Sequence, residues 1–416
     1  MPDGFDVAFA RAQFPALNDP GTRLWTYLDN AGGTFVCQAA VQHMSRFLET
    51  GKVQPYGAHP LSVRAGQSLD HAYRVLASLL NAGEDEVVLG PNTTVNLNTL
   101  AAAMRPLFRA GDAIVTTDQD HEANIGAWRR LAEALDLTVR VWHVDPETGA
   151  LPPGGLDAVL DEAVRLVAVP HTSNVTGAVN DVAAIAAKAR RAGAWVVVDG
   201  VAHAPHAAVD VKGLDVDAYA FSPYKTCGPH AGVLYVRDAL MERLAGQNHA
   251  FLPDTARLQL APGGPAPEAA AGLLGVADYL NALYARHFPE AVGPLHERAA
   301  AVFGLTAAHE AAVIRPLLDA LADHPRVRLL GPGPEAAAER APTVAFTVDG
   351  MASADVVEAL LPHRIALRSG HFYAWRLMQA LGLDPADGVV RASAVHYTSE
   401  AEVRGLVEAL ETVLPR

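Results

Sequence analysis

Lysine is scarce in this chain. Of its 32 basic side chains only Lys52, Lys188, Lys212 and Lys225 are lysines, and the remainder are arginines. Lys225 stands in "AYAFSPYKTCGPH" (218–230), directly after an apolar run with strand character. Where positive charge alone is needed this chain uses arginine; a lysine differs in that its amine can lose its proton and attack a carbonyl. Other residues able to do chemistry fall in similar places. Thr93 and Thr94 open "TTVNLN", a helix start whose free N–H groups and hydroxyls suit an anion. His121 lies in "DQDHEANIGAW", Asn174 in "PHTSNVTGAVND", Asp199 ends "AWVVVDG", and Ser222 comes three residues before the lysine. Each has an ordinary use as a cap or turn residue.

The elements around them change the odds. Runs at 86–91, 112–117, 138–144, 165–171, 194–200, 218–223 and 232–237 read as strands, several continuously apolar as in a sheet covered on both faces. Alanine-rich helical stretches such as "NDVAAIAAKARRAG" alternate with them. This pattern predicts a layered α/β domain with a mostly parallel sheet, in which ligands bind at the carboxyl ends of the strands. All of the residues above sit at such ends. Past residue 258 "APGGPAPEAAAG" reads as a loop, followed by a helix, "LLGVADYLNALYARHF"; helices with strands at "RVRLLG", "TVAFTVDG", "IALRSG" and "VVRASAVHY" then suggest a small α+β domain. The expected division is a large domain over 20–290, with 1–19 and 291–416 forming the small one.

A phosphate site, a histidine able to stack on a ring, a carboxylate and an amine on one face match the needs of pyridoxal 5'-phosphate (PLP). Its aldehyde takes a lysine, its ring nitrogen needs a carboxylate, and its phosphate needs N–H groups and hydroxyls. The segments "YLDNAGG", "NTTVNLN", "DHEANIGAW", "TSNVTG", "VVVDG" and "SPYKTCGPHAGVLYV" resemble, in order and spacing, class V aminotransferase-fold enzymes of the cysteine-desulfurase-like branch. The resemblance implies the PLP-dependent transferase fold type I, α/β with a seven-stranded large-domain sheet, and a homodimer acting on an amino acid. It makes Lys225 the Schiff-base lysine and Asp199 the partner of the ring nitrogen. His121 would stack on the ring and share in catalysis, and Asn174 would approach the ring hydroxyl. Thr93, Thr94 and Ser222 would hold the phosphate, and Arg391 in "VVRASAVHY" would bind the substrate carboxylate, with Arg368, His371 and Tyr373 nearby.

Departures from the family pattern narrow the chemistry. The loop "ALRSGHFYAWRLM" has Tyr373 where desulfurases carry a persulfide-forming cysteine, and a phenol does not replace a thiolate. Cys227 reads as an apolar filler. Ala202 stands where relatives often have a Gln or His on the cofactor, a role His203 could take over, and Gly264 stands where relatives often use Thr to reach the partner subunit's phosphate. The expected activity is therefore a C–S β-lyase releasing sulfur from cysteine or a cysteine S-conjugate. An epimerase or racemase, an aminotransferase, and a catalytically retired binding protein are the alternatives. His59, Phe372, Tyr373 and Trp375 are candidate specificity residues.

The totals bound what else is expected. A net charge of −14 argues against nucleic acid or an anionic membrane as partner. No uninterrupted apolar run is long enough to span a bilayer, and the first twenty residues contain early acids and no export-type apolar stretch. Two cysteines cannot build a disulfide framework or a zinc cluster, so no metal and a reducing cytoplasm are expected.

Overall fold

The computed structural model describes residues 4–252, 256–289 and 292–414. Among these, seven strands form the main sheet: β1 (Val87–Gly90), β2 (Ala113–Thr117), β3 (Thr138–Trp142), β4 (Val164–Pro170), β5 (Trp195–Asp199), β6 (Ala218–Phe221) and β7 (Gly232–Val236). Their order is β1-β7-β6-β5-β4-β2-β3. All neighbours are parallel except β7, which runs antiparallel to both β1 and β6. The sequence-based strands are all present, within two residues of their expected ends. Val196, Val197 and Val198 of β5 are buried, as a strand covered on both faces requires.

Helices cover this sheet and a second one. Among them are α1 (Gln38–Thr50), α2 (Pro60–Leu80), α3 (Thr93–Met104), α4 (Glu122–Leu135), α5 (Val182–Arg191), α6 (Pro267–His287), α7 (Leu295–Asp323) and α8 (Glu400–Val413). Two glycines permit close approaches. A Cβ on Gly232 of β7 would come 2.4 Å from the Asn92 backbone at the start of α3, and one on Gly275 of α6 would come 2.3 Å from the Ala40 nitrogen of α1. The first contact seats the N-terminus of α3 against the carboxyl end of the sheet. Helix α6 begins six residues before the expected "LLGV", because Pro267 occupies its first turn and the alanines that follow are strong helix formers.

A second sheet combines β8 (Val327–Leu330), β9 (Thr343–Val348), β10 (Arg368–Gly370) and β11 (Val389–Ser393) in the order β10-β11-β9-β8. "IALRSG" is not one strand. Ile365–Ala366 pairs in parallel with Thr26–Tyr27, and β10 pairs with β11, so the segment changes partners at Leu367. The expected boundary near residue 290 lies outside the described residues. Among the described helices α7 alone is long and apolar enough to cross a membrane by length and composition. Its Val313, Ile314, Leu317, Leu318 and Leu321 are buried against β9, β11 and α8.

Candidate active site

The carboxyl ends of β1, β2, β4, β5 and β6 surround a cavity of about 610 Å³, within the size range of small-ligand pockets. Thr93, Thr94, His121, Asn174, Asp199, Ser222, Lys225 and Tyr373 line it. At one end the Thr93 and Ser222 hydroxyls lie 2.7 Å apart and buried. The side chain that caps α3 is not a threonine, however. Asn92 accepts from Val95 N at 2.9 Å, so neither threonine hydroxyl is used in the cap. First-turn N–H groups, the helix dipole and two hydroxyls make this end suited to a phosphate.

His121 caps α4. Its Nδ1 accepts from Ala123 N at 3.0 Å, and its backbone N–H donates to Asp120 Oδ1 at 2.8 Å. Burial, helped by the positive charges of Lys225 and Arg391, pulls its pKa down to about 3. The ring is therefore neutral, and with Nδ1 accepting it carries its proton on Nε2. Its orientation is fixed by the helix end and owes nothing to a ligand.

Lys225 ends a one-turn 3-10 segment that follows β6. Only 8% of it is exposed, and 5% of Asp199. Burial and Arg391 lower the amine to about 8, against the pull of Asp199 and Asp29. Burial raises Asp199 to about 6, opposed by the Val201 N–H that donates to it and by Lys225. Beside it, Asp120 is pushed well up by burial and then by Asp199, since two close buried carboxyls resist ionising together. Sequence reasoning passed over Asp120, whose only signal was its place next to His121. It also missed Thr172, Tyr224 and His230, which line the same cavity.

Four expected residues do not reach the cavity wall. His203 stacks on His171, ring centroids 3.4 Å apart and 12° from parallel, and its Nδ1 lies 3.0 Å from Thr172 Oγ1. It therefore stands one layer behind the cavity, a correction to its expected contact with the cofactor. Arg391 is buried on β11, donating to Asn174 O at 3.0 Å and Asp29 Oδ1 at 3.1 Å, with the Phe372 ring against its guanidinium. Its Nε is buried without a partner among the described residues. Arg368, opposite it in register, is largely exposed, with Nε 3.7 Å from Asp29 Oδ2. His371 accepts from Tyr373 N at 3.1 Å. The loop of these last residues bridges the two sheets: Asn174 Nδ2 donates to Phe372 O at 2.9 Å and Glu122 N to Tyr373 O at 2.8 Å. Phe372 and Tyr373 both take left-handed backbone angles, φ 49° and 61°, unusual for bulky side chains.

The described residues hold no cluster of His, Cys, Asp and Glu able to bind a metal. They do fit PLP: a buried amine and carboxylate share a cavity with a hydroxyl-lined helix N-terminus and a neutral, immobile imidazole.

Residues 26–406 match the family model described as aminotransferase class-V, and the chain belongs to that family. It is a PLP-dependent enzyme of the cysteine-desulfurase-like branch. It is 35% identical to the aminotransferase-like protein FGM3 of Gibberella zeae, over 99% of both chains. It is 31% identical to a cysteine desulfurase of Serratia proteamaculans, over 98% of both. Among solved structures it superposes on the apo cysteine desulfurase of Thermococcus onnurineus NA1 with a TM-score of 0.84 at 28% identity, covering 96% of this chain and 98% of that one.

Proposed function

We propose that the protein is a C–S β-lyase converting cysteine, or a cysteine S-conjugate, to pyruvate and ammonia with release of the sulfur as sulfide or a thiol. The observation that carries this reading is the pairing of an intact amine–carboxylate site with the lack of a reactive thiol at its mouth. Cys37 and Cys227, the only cysteines of the chain, are buried in a separate apolar cluster, where burial raises both thiols. PLP, when bound, supplies the electron sink that stabilises charge at the substrate's Cα. In this reading the Lys225 amine takes the Cα proton, and the Cβ–S bond breaks with its electron pair leaving on sulfur. Asp199 holds positive charge at the ring nitrogen, and His121 limits ring motion. Thr93, Thr94 and Ser222 anchor the phosphate. Arg391, which lies behind the cavity wall under Phe372, takes the α-carboxylate through its unpartnered Nε edge once the Phe372 loop moves aside, with Arg368 reinforcing the positive potential. For cysteine the balance is cysteine plus water giving pyruvate, ammonia and hydrogen sulfide.

Pyruvate release from cysteine and its S-conjugates, abolished in Lys225→Ala, is the expected result. No turnover across such a panel would end this reading. A second one, epimerisation, draws support from Tyr373, a phenol at the cavity with its ring centroid 5.1 Å from that of His121, placed to return a proton to the substrate. Deuterium incorporation at Cα in heavy water without pyruvate would select it. We further propose the large and small domains expected from the sequence, a homodimer, and a reducing cytoplasmic setting. The exposed apolar side chains of Tyr56, Leu61 and Val63 support the dimer, and the two free thiols support the reducing compartment.

A further inference from the structure

Behind the cavity wall lies a run of polar groups that the roles above do not use. Thr172 is 3% exposed and lines the cavity, while its hydroxyl lies 3.0 Å from His203 Nδ1. This is the only hydrogen bond of that hydroxyl among the described residues. His203 in turn is stacked on His171, whose Nδ1 is hydrogen-bonded to the buried Tyr219 hydroxyl at 2.9 Å. Thr172 and Asn174 are two residues apart beyond the end of β4, and both face the cavity. Pro170, the last residue of β4, is in register with Asp199. Thr172 therefore lies on the wall between Asn174 and Asp199. Ala202, from the neighbouring loop, contributes only a methyl there.

We propose that Thr172 donates a hydrogen bond to the ring oxygen of bound PLP, and that His203 is a positioning residue that turns the Thr172 hydroxyl proton toward the cavity. The argument rests on donor counting. A hydroxyl has one proton and accepts through its lone pairs. If His203 Nδ1–H donates to Thr172 Oγ1, the threonine proton is free to point at the ligand. Along the ring edge from the group facing Asp199 to the group facing Asn174, the carbon between carries only a methyl and the phenolic oxygen at the Asn174 end is the one hydrogen-bond acceptor, so Thr172 would share that oxygen with Asn174. The stack on His171, itself held by Tyr219, keeps His203 from rotating, so the donor is oriented before a ligand arrives. Burial holds both histidines neutral, His171 down to about 4 and His203 well below its ordinary value, as a one-proton donor of fixed tautomer requires.

The inference rests on the PLP reading and is tested separately from it. Holoenzyme is prepared with PLP, and the pH midpoint at which its yellow absorbance is lost is measured for wild type and variants. A colourless wild type would mean failure of the PLP reading itself. Given a yellow wild type, a donor to the ring oxygen draws charge from that oxygen and weakens its hold on the neighbouring lysine–cofactor proton. Lys225, Asp199, Asp120, His121, Asp29 and Arg391 act on that proton in every variant and are left unchanged. Thr172→Val is expected to raise the midpoint by about half a unit, roughly a threefold change in the proton equilibrium. Thr172→Ser should stay at the wild-type value. His203→Phe keeps the stack and removes the nitrogen, and is expected to reproduce the upward shift. His203→Asn, with an amide nitrogen in the place of Nδ1, should restore the wild-type midpoint. Should Thr172→Val fail to retain PLP, the His203 pair gives the same reading. Unchanged midpoints in Thr172→Val and His203→Phe, both with PLP bound, would overturn the proposal.

Discussion

The guanidinium carbon of Arg391 lies 3.7 Å from the centre of the Phe372 ring, although the two residues belong to a strand of the small sheet and to a loop bridging both sheets. A buried cation on an aromatic face gains about 2 kcal/mol. With its face covered, Arg391 offers ligands only its edge. We expect Phe372→Ala to raise KM for the amino-acid substrate about tenfold while changing kcat less, since the loss is in holding the guanidinium and not in proton transfer. Steady-state kinetics decide this. A lower KM would show instead that the ring obstructs the carboxylate.

The phosphate end of the cavity gives a binding prediction. Ser222→Ala removes one of two adjacent buried hydroxyls and leaves Thr93 and Thr94 to hold the phosphate. A hydrogen bond to a charged group is worth about 1.5–3 kcal/mol, so PLP affinity should fall at least about tenfold. Equilibrium dialysis or absorbance titration of the apoprotein checks it, and unchanged affinity would remove Ser222 from the phosphate site.

Lys225 carries a folding cost in the absence of cofactor. Its folded-state pKa of about 8 lies below the ordinary lysine value, so the unfolded chain binds the extra proton between the two. Stability from this group therefore rises as pH increases from about 8 to about 10.5. Lys225→Met should raise the apoprotein Tm at pH 7 by an amount corresponding to about 1–3 kcal/mol, and the gain should shrink as pH approaches 10. Thermal denaturation across that range is the measurement. A gain independent of pH would mean that the amine is not desolvated.

Asp120 and Asp199 are coupled carboxyls. Asp199, raised to about 6, is expected to set an acid limit on activity, because it must be ionised to serve a protonated ring nitrogen. Asp120, held protonated by burial and by Asp199, carries no charge while Asp199 titrates, so Asp120→Asn should leave the acid limb of the kcat profile near its wild-type position. A limb that moves down would show that Asp120 is ionised beside Asp199.

The main sheet was legible in the sequence because buried parallel strands are continuous apolar runs, and "WVVVD" needs no partner to be recognised. Partner changes were not legible. "IALRSG" looks like one strand because local propensity contains nothing about where Thr26 and Val389 lie. The site residues were identifiable by type and by position at strand ends, and eight of them do line one cavity. Side-chain direction was the missing information. His203 turned back onto His171, Arg391 went under Phe372, and Asp120, 2% exposed, was passed over. Asn92 was overlooked as the cap of α3 because two threonines beside it are also capping residues.

The bridge formed by Phe372 and Tyr373 is held by an amide and an N–H at the rim of the very cavity it covers. Asn174 cannot turn its amide fully to a ligand while it grips the Phe372 carbonyl, so unlatching the loop and arming that donor are one movement. Two left-handed residues in succession keep the latch under tension in its closed state. Opening should then be gated by the solvent that must flow into the gap, and turnover should slow as viscosity is increased if release of the loop, and not bond breaking, limits the cycle.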